Sequence, residues 1–273
     1  MAESCRKVCI ALTVYRVPVA SERLSIQCLR NVLREYDLFL VKPASLSLSL
    51  GGFTTVSLPD QFFESKITYG LMLASSEFYK VFVDYEWLLI YQPDCLVFRN
   101  SLEDWVESRS DYLSSVCFAD SNAWAGCDFV GFGGLSLRRT KACLETMAII
   151  EADPVLRETH RKSILTYGQE DVFWSWTAPE VNKNFSVLPV VESLAFAWNG
   201  DPRPYARRFH GVPFACHGFL SLYAFLFYWN WLPLSFGERV IYGFPALIQI
   251  LGSEAWSRLV KARLKFRISA CPR

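Results

Sequence analysis

The nine cysteines of this sequence include no Cys-x-x-Cys pair, and the chain has only three histidines, at positions 160, 210 and 217. The missing pairs exclude a zinc ribbon. An odd cysteine count also argues against a disulfide scaffold, so reduced thiols in a cytosolic protein are expected. Excess charge is absent as well: 28 Lys and Arg against 27 Asp and Glu leave +1, and no bulk field marks nucleic acid as a partner. The start of the chain, MAESCRKVCIALTVYR, has too short an apolar run for a signal peptide or a membrane span. No export is expected. The loop Thr13-Val14-Tyr15-Arg16 has no glycine, which removes a dinucleotide-binding fingerprint.

What is present reads as one large α/β fold, since 273 residues with 52% hydrophobic content can bury a full core. Residues 8 to 14 are a strand candidate. Ser21 and Glu22 then open a helical pattern with Leu24, Cys28, Leu29, Val32, Leu33 and Tyr36 in register, and residues 37 to 41 read as a second strand closed by Pro43. This order predicts a parallel crossover, a unit on which nucleotides commonly rest. Val14 and Tyr15 lie where a base or phosphate would sit, unless the loop is an ordinary connection. Leu71, Met72 and Leu73 are read as a helix packing on the sheet. From Thr140 a further helix is predicted, with Ala142, Cys143, Met147 and Ile150 on one face.

The most informative stretch is VFVDYEWLLIYQPDCLVFRN, residues 81 to 100. Its apolar run ends at Tyr91, and Gln92-Pro93-Asp94 must end or bulge the strand because proline cannot donate to a central ladder. Asp94 thereby falls at a strand's carboxyl end, where α/β sheets bind ligands and where a divalent metal would meet a carboxylate. The alternative is a turn aspartate. Gly131, Gly133 and Gly134 cluster beside a strand candidate at 135 to 137, which calls for close backbone approach or positive φ. Glu170 and Asp171 lead into an apolar helix start, as helix-terminal charges or as a catalytic base. His217, followed by a glycine, is a structural hydrogen-bonder or a metal or phosphate ligand.

From Phe219 the composition changes. The apolar, aromatic run ends at Pro233, too short for a bilayer, and after residue 257 there are Arg258, Lys261, Arg263, Lys265, Arg267 and Arg273 without one acid. Such a segment suits an anionic membrane face, a second small core or a dimer contact. The expected division is 1–218 as the main domain and 219–273 as an apolar and basic helical extension.

Taken together, Tyr91-Gln92-Pro93-Asp94, Gly133-Gly134-Leu135-Ser136-Leu137-Arg138, Glu170-Asp171-Val172-Phe173 and Pro213-Phe214-Ala215-Cys216-His217 resemble, in this order, a family of little-characterised bacterial-type glycosyltransferases. The resemblance covers residues 8 to 219. It implies a GT-A-like fold, with a mixed, mostly parallel central sheet flanked by helices, and transfer of a sugar from a nucleotide-sugar to an acceptor hydroxyl. By the same resemblance, Val14 and Tyr15 flank the base, and Gln92, Asp94, Gly133 and Gly134 contact the nucleotide-sugar. Asp94 and His217 would hold Mn²⁺ or Mg²⁺, and Asp171, with Glu170 beside it, is the general base of an inverting reaction. Arg138 meets a phosphate or pairs with an acid. Gln92 departs from the Asp-x-Asp pattern of such enzymes, which puts metal dependence in question.

The implied partners are a UDP-sugar foremost among nucleotide-sugar donors, a glycan or lipid-linked acceptor in polysaccharide assembly, and a membrane surface touched by the C-terminal segment. The implied location is the cytoplasm, peripheral at the inner membrane face. The rival readings are a nucleotide- or glycan-binding pseudoenzyme and a sugar-nucleotidyltransferase. The latter would need a glycine-rich phosphate loop that residues 13 to 21 do not supply.

Overall fold

The computed structural model describes residues 6–120, 126–167 and 170–269. The strands, in chain order, are β1 (Arg6–Thr13), β2 (Asp37–Pro43), β3 (Thr54–Leu58), β4 (Tyr85–Tyr91), β5 (Cys95–Val97) and β6 (Tyr112–Leu113). They are followed by β7 (Ser115–Cys117), β8 (Phe129–Gly131), β9 (Leu135–Arg139), β10 (Ala197–Asn199) and β11 (Ala215–His217). Six of them form the main sheet in the order β3-β2-β1-β4-β9-β6. Neighbours from β3 to β4 pair in parallel, β9 runs antiparallel to β4, and β6 runs antiparallel to β9. The sheet is therefore mixed and mostly parallel, flanked by helices.

β4 lies inside the sheet because its composition suits two buried faces. Trp87, Leu89 and Tyr91 enter one core and Leu88 and Ile90 the other, all fully buried. The two-residue alternation of a strand turns an unbroken apolar run into two packed surfaces, each large side chain contributing about 1.5–3 kcal/mol. On the first face sits the helix Ala20–Leu33, through Ile26, Leu29 and Leu33. On the second sit the helices Lys66–Leu73 and Thr140–Ala152; Met72, Leu73, Cys143, Met147 and Ile150 are buried there, as their helical spacing predicts.

The small sheet β10-β11-β5 forms a second layer beside the first helix, whose Leu24 and Cys28 point into a third core. That core also takes Phe225 and Tyr228 from the helix Leu222–Tyr228, and Ala246 and Ile250 from the last helix, Phe244–Ser269. The C-terminal segment is further tied to the first helix by polar contacts. Glu238 accepts from Gln27 and Asn31, and Gln249 Oε1 accepts from the Ser21 amide. The backbone of the basic tail is helical through Ser269, while the side chains from Arg258 onward, and Arg273 altogether, lie outside the described residues. Among the described residues no helix is long and apolar enough to cross a membrane.

Candidate functional site

β4 ends as its sequence predicts. Gln92, Pro93, Asp94 and Cys95 form a turn closed by Cys95 N donating to Gln92 O at 3.0 Å, with proline where its fixed φ suits the turn. Asp94 is a turn residue, yet its side chain is not spent on the turn. Asp94 Oδ1 lies 3.3 Å from His217 Nε2, brought in by the antiparallel pairing of His217 with Cys95. Gln92 Oε1 is 3.2 Å from the same nitrogen.

The other ring nitrogen, Nδ1, is 2.6 Å from Asn199 Oδ1. An amide oxygen only accepts, so Nδ1 carries the hydrogen and donates it. In the neutral ring Nε2 then presents a lone pair to two further oxygens. Three acceptors converge on one point, and what completes the set is a proton on Nε2 or a cation from solution. Burial pushes the Asp94 carboxyl up, but the hydrogen bond and charge of His217 outweigh it and hold the carboxyl below its ordinary value.

The donor set has a third neighbour in Cys95, whose ligating atom lies within 4.8 Å of those of Asp94 and His217. It does not fit a hard divalent ion. Cys95 is fully buried, burial pushes its thiol well above the ordinary value, and the thiol donates to Gly134 O at 3.3 Å. Carboxylate, amide oxygen and an oriented imidazole do fit Mn²⁺ or Mg²⁺, with Asn199 in the supporting role that fixes a ligating histidine's tautomer.

The glycine cluster answers the expectation by close approach. A Cβ on Gly134 would overlap His217 Nε2 and come within 2.6 Å of Gln92 Oε1. One on Gly133 would overlap Glu170 Oε1 and come within 2.9 Å of Arg138 Nη2. The positive φ falls instead on Phe132, at 65°. Asp171 Oδ2 accepts from the amides of Phe132 and Gly133 at 3.0 and 3.4 Å, and so pins the turn. Glu170 points elsewhere: it is buried and bonded to Arg138 at 3.0 Å, and burial, with the charge of Asp171 second, raises its carboxyl. Arg138 is fully buried and also reaches Ser136 Oγ and Tyr79 OH at 2.9 and 2.8 Å. It pairs with an acid, the second of the two roles expected for it, and is closed to a phosphate from solution.

The Gln92-Pro93-Asp94 turn lines a cleft of about 560 Å³ at the carboxyl ends of β1 and β4, whose lining does not include Gly133, Gly134, Glu170, Asp171 or His217. Val14, Tyr15, Gln92 and Asp94 line it, as do Ser65, Lys66, Tyr69 and Leu220. Tyr15 is 62% exposed, its ring covered on one side by the Arg16 guanidinium at 5.3 Å. Arg16 in turn forms a paired contact to Glu22 at 2.8 and 2.7 Å. Lys66 and Asn199 belong to no motif of the sequence. Tyr69 OH meets Thr13 Oγ1 at 2.7 Å across the cleft, a contact between residues 56 positions apart that no local pattern announces. Asn199 ends β10, and only the parallel register Asn199 to His217 gives it meaning.

Comparison with solved structures bears on the fold. A galactosyltransferase, LgtC, in complex with donor and acceptor sugar analogues superposes with a TM-score of 0.51 at 12% identity, over 77% of this chain and 86% of that one. Mouse xyloside xylosyltransferase 1 is similar at a TM-score of 0.45 and 9% identity, covering 78% of this chain and 97% of its own. A glycosyltransferase involved in the glycosylation of the major capsid of PBCV-1 gives 0.44 and 11%, over 77% and 92%. The likeness to LgtC establishes a glycosyltransferase fold of GT-A type. No curated protein matches the sequence. A family model described as a protein of unknown function, DUF5672, matches residues 52–217, more than half of the chain, and the protein belongs to that family.

Proposed function

We propose that this protein transfers a sugar from a nucleotide-sugar to an acceptor hydroxyl, in assembly of a polysaccharide or related glycan. One observation carries the reading. The turn Phe132-Gly133-Gly134 touches Asp171 on one side and the His217, Gln92 and Asp94 cluster on the other, beside a cleft at the carboxyl ends of parallel strands. Four separate stretches of sequence supply these parts.

In this reading Val14 and Tyr15 flank the base of the donor, a UDP-sugar foremost, and Lys66 offers charge to its diphosphate. Gln92 and Asp94 meet the ribose, sugar or phosphates, and Gly133 and Gly134 leave room for the sugar against the backbone. Asp94 and His217 would hold a divalent ion, Mn²⁺ or Mg²⁺, with Gln92 Oε1 beside them; when bound it would neutralise charge on the departing nucleotide. Asp171, its Oδ2 anchored by two amides, takes the proton of the attacking hydroxyl, and with one base and no enzyme nucleophile the reaction inverts the anomeric carbon. Glu170, engaged by Arg138, holds the turn and its neighbour in place rather than receiving the proton. The acceptor is a glycan or a lipid-linked sugar, and the protein works in the cytoplasm at the inner face of a membrane.

Gln92, standing where an acid is usual, supports a second reading as a nucleotide- or glycan-binding pseudoenzyme. The two separate in one experiment. Thermal unfolding is followed with UDP-, GDP-, CMP- and dTDP-sugars, each with Mn²⁺ and with EDTA. A bound donor at a hundred times its Kd adds about 2.7 kcal/mol, a rise of about 5–10 °C. The expected result is stabilisation by one nucleotide class, lost with EDTA and lost in Asp94→Ala. Asp171→Asn keeps the shift and stops nucleotide release. No shift with any donor would remove the donor site; a shift with full turnover in Asp171→Asn would remove the base.

A further inference from the structure

Among the described residues, ten of the twenty exposed large hydrophobic side chains fall within residues 220–256. Phe236 is 82% exposed, Ile248 69%, Trp256 68% and Ile241 65%. On the last helix, Phe244, Ile248 and Leu251 recur at i, i+4 and i+7, which places them on one side. Ala246 and Ile250, on the other, are buried in the third core. A surface helix ordinarily turns its polar side outward, and this one is apolar both ways.

The segment's exposed side is therefore largely open to solvent, the Phe244 ring meeting Trp229 at 5.7 Å, while its inner side is fixed in place. Glu254 Oε1 accepts from the Leu222 amide at 2.7 Å, and Gln249 ties the helix to Ser21 at 3.0 Å.

Charge says what covers it. Residues 219–273 hold seven of the chain's 28 Lys and Arg and two of its 27 Asp and Glu, so this end carries +5 and the remaining 218 residues −4. Every charged side chain after Glu254 is basic. An apolar patch continued by an all-basic helix matches a lipid surface of negative charge, which takes apolar side chains to a shallow depth and holds bases at its headgroups. Tyrosine and tryptophan, present as Tyr223 and Trp256, suit that boundary because each joins an apolar body to a polar tip.

We propose that residues 220–256, together with the basic helix that follows, form the face by which this protein lies on an anionic bilayer. The face reaches the cleft: Leu220 is 42% exposed and also lines the cleft wall beside Asp94. A protein seated there turns the mouth of its cleft toward the lipid. The inference deepens the glycosyl-transfer reading by making the acceptor one carried on a lipid, but the surface itself is tested without any sugar.

The test is sedimentation of the full chain with vesicles of phosphatidylcholine alone and of phosphatidylcholine mixed with phosphatidylglycerol. The expected result is binding to the mixed vesicles that weakens as salt is raised. Phe236→Asp and Ile248→Asp, at positions that are mostly exposed, keep the circular dichroism and melting of the parent and weaken binding about tenfold each. Replacing Lys261, Arg263, Lys265 and Arg267 by Glu abolishes the preference for the anionic vesicles. Absence of vesicle binding, or binding that neither set of variants changes, overturns the proposal. So does a concentration-dependent dimer in sedimentation velocity that Ile248→Asp dissolves while vesicle binding stays, since the patch then serves a second copy. Donor-dependent thermal shifts are unaffected by Phe236→Asp, so loss of the membrane face and loss of the donor site are read separately.

Discussion

Two clusters of charged residues press on the same pair of glycines, and they differ in who satisfies them. Beneath Gly133, Arg138 is fully buried among Glu170, Ser136, Tyr79 and the Leu73 carbonyl. Its guanidinium donates four hydrogen bonds inside the protein, and its charge lies over the rings of Tyr112 and Trp174 at 5.4 and 5.9 Å. Beside Gly134, His217 Nε2 faces Gln92 Oε1 and Asp94 Oδ1, and these two residues line the cleft. There Gln92 and Asp94 share His217 Nε2, and the Tyr69 hydroxyl also reaches Gln92. Both clusters contain an acid and a base at about 3 Å, so proximity does not tell them apart. Exposure does: Arg138 and Glu170 are closed off inside the core, whereas Gln92 and Asp94 are open where they line the cleft.

The largest effect is expected from breaking the closed cluster. Arg138→Ala leaves Glu170 buried without its partner and lowers stability by about 3–5 kcal/mol, read as a fall of about 6–20 °C in Tm. Replacing both residues by apolar ones of similar volume recovers most of that loss, because no charge is then stranded. A single-mutant loss below about 1 kcal/mol would mean that the two clusters are not of different kinds.

The open cluster should answer in the opposite way. Asn199→Ala frees the His217 ring and changes Tm little without ligand. It weakens metal affinity about 10–100-fold, measured by titration calorimetry with Mn²⁺. Equal stability loss here and at Arg138 would erase the contrast.

The smallest effect concerns a carboxylate that the protein satisfies at its surface. Hydrogen bonds from Asn31 first, then from the Ser235 amide and hydroxyl and from Gln27, hold Glu238 down to about 2 from an ordinary 4.5. Its folded value is depressed, so its contribution is complete above 4.5 and is lost as the pH falls toward about 2. Glu238→Gln should flatten this part of the acid limb in a stability profile, and an unchanged limb would remove Glu238 from it.

Much of the fold was legible because its signals are local. The β1, helix, β2 order, the ending of β4 at Gln92-Pro93 and the buried face of the helix from Thr140 follow from periodicity and from proline's missing donor. Part of the candidate site's geometry was legible too, since a carboxylate after a central strand and a pair of adjacent glycines each announce themselves locally. Glu170 was not. Beside Asp171 it looks like the second half of a pair, and only the pairing of β9 with β4 sets Arg138 where it engages Glu170 and leaves Asp171 to the turn. Asn199 carried no signal at all.

By itself the sequence determined which segments could be strands and helices, where the sheet's central strand must stop, and that a carboxylate would follow it at the sheet's edge. The tertiary structure decided which polar residues meet. His217 reaches Asp94 across 123 positions and Arg138 reaches Glu170 across 32, through strand registers that depend on the whole sheet. Periodicity is a property of neighbours in the chain, whereas satisfaction of a buried charge is a property of neighbours in space.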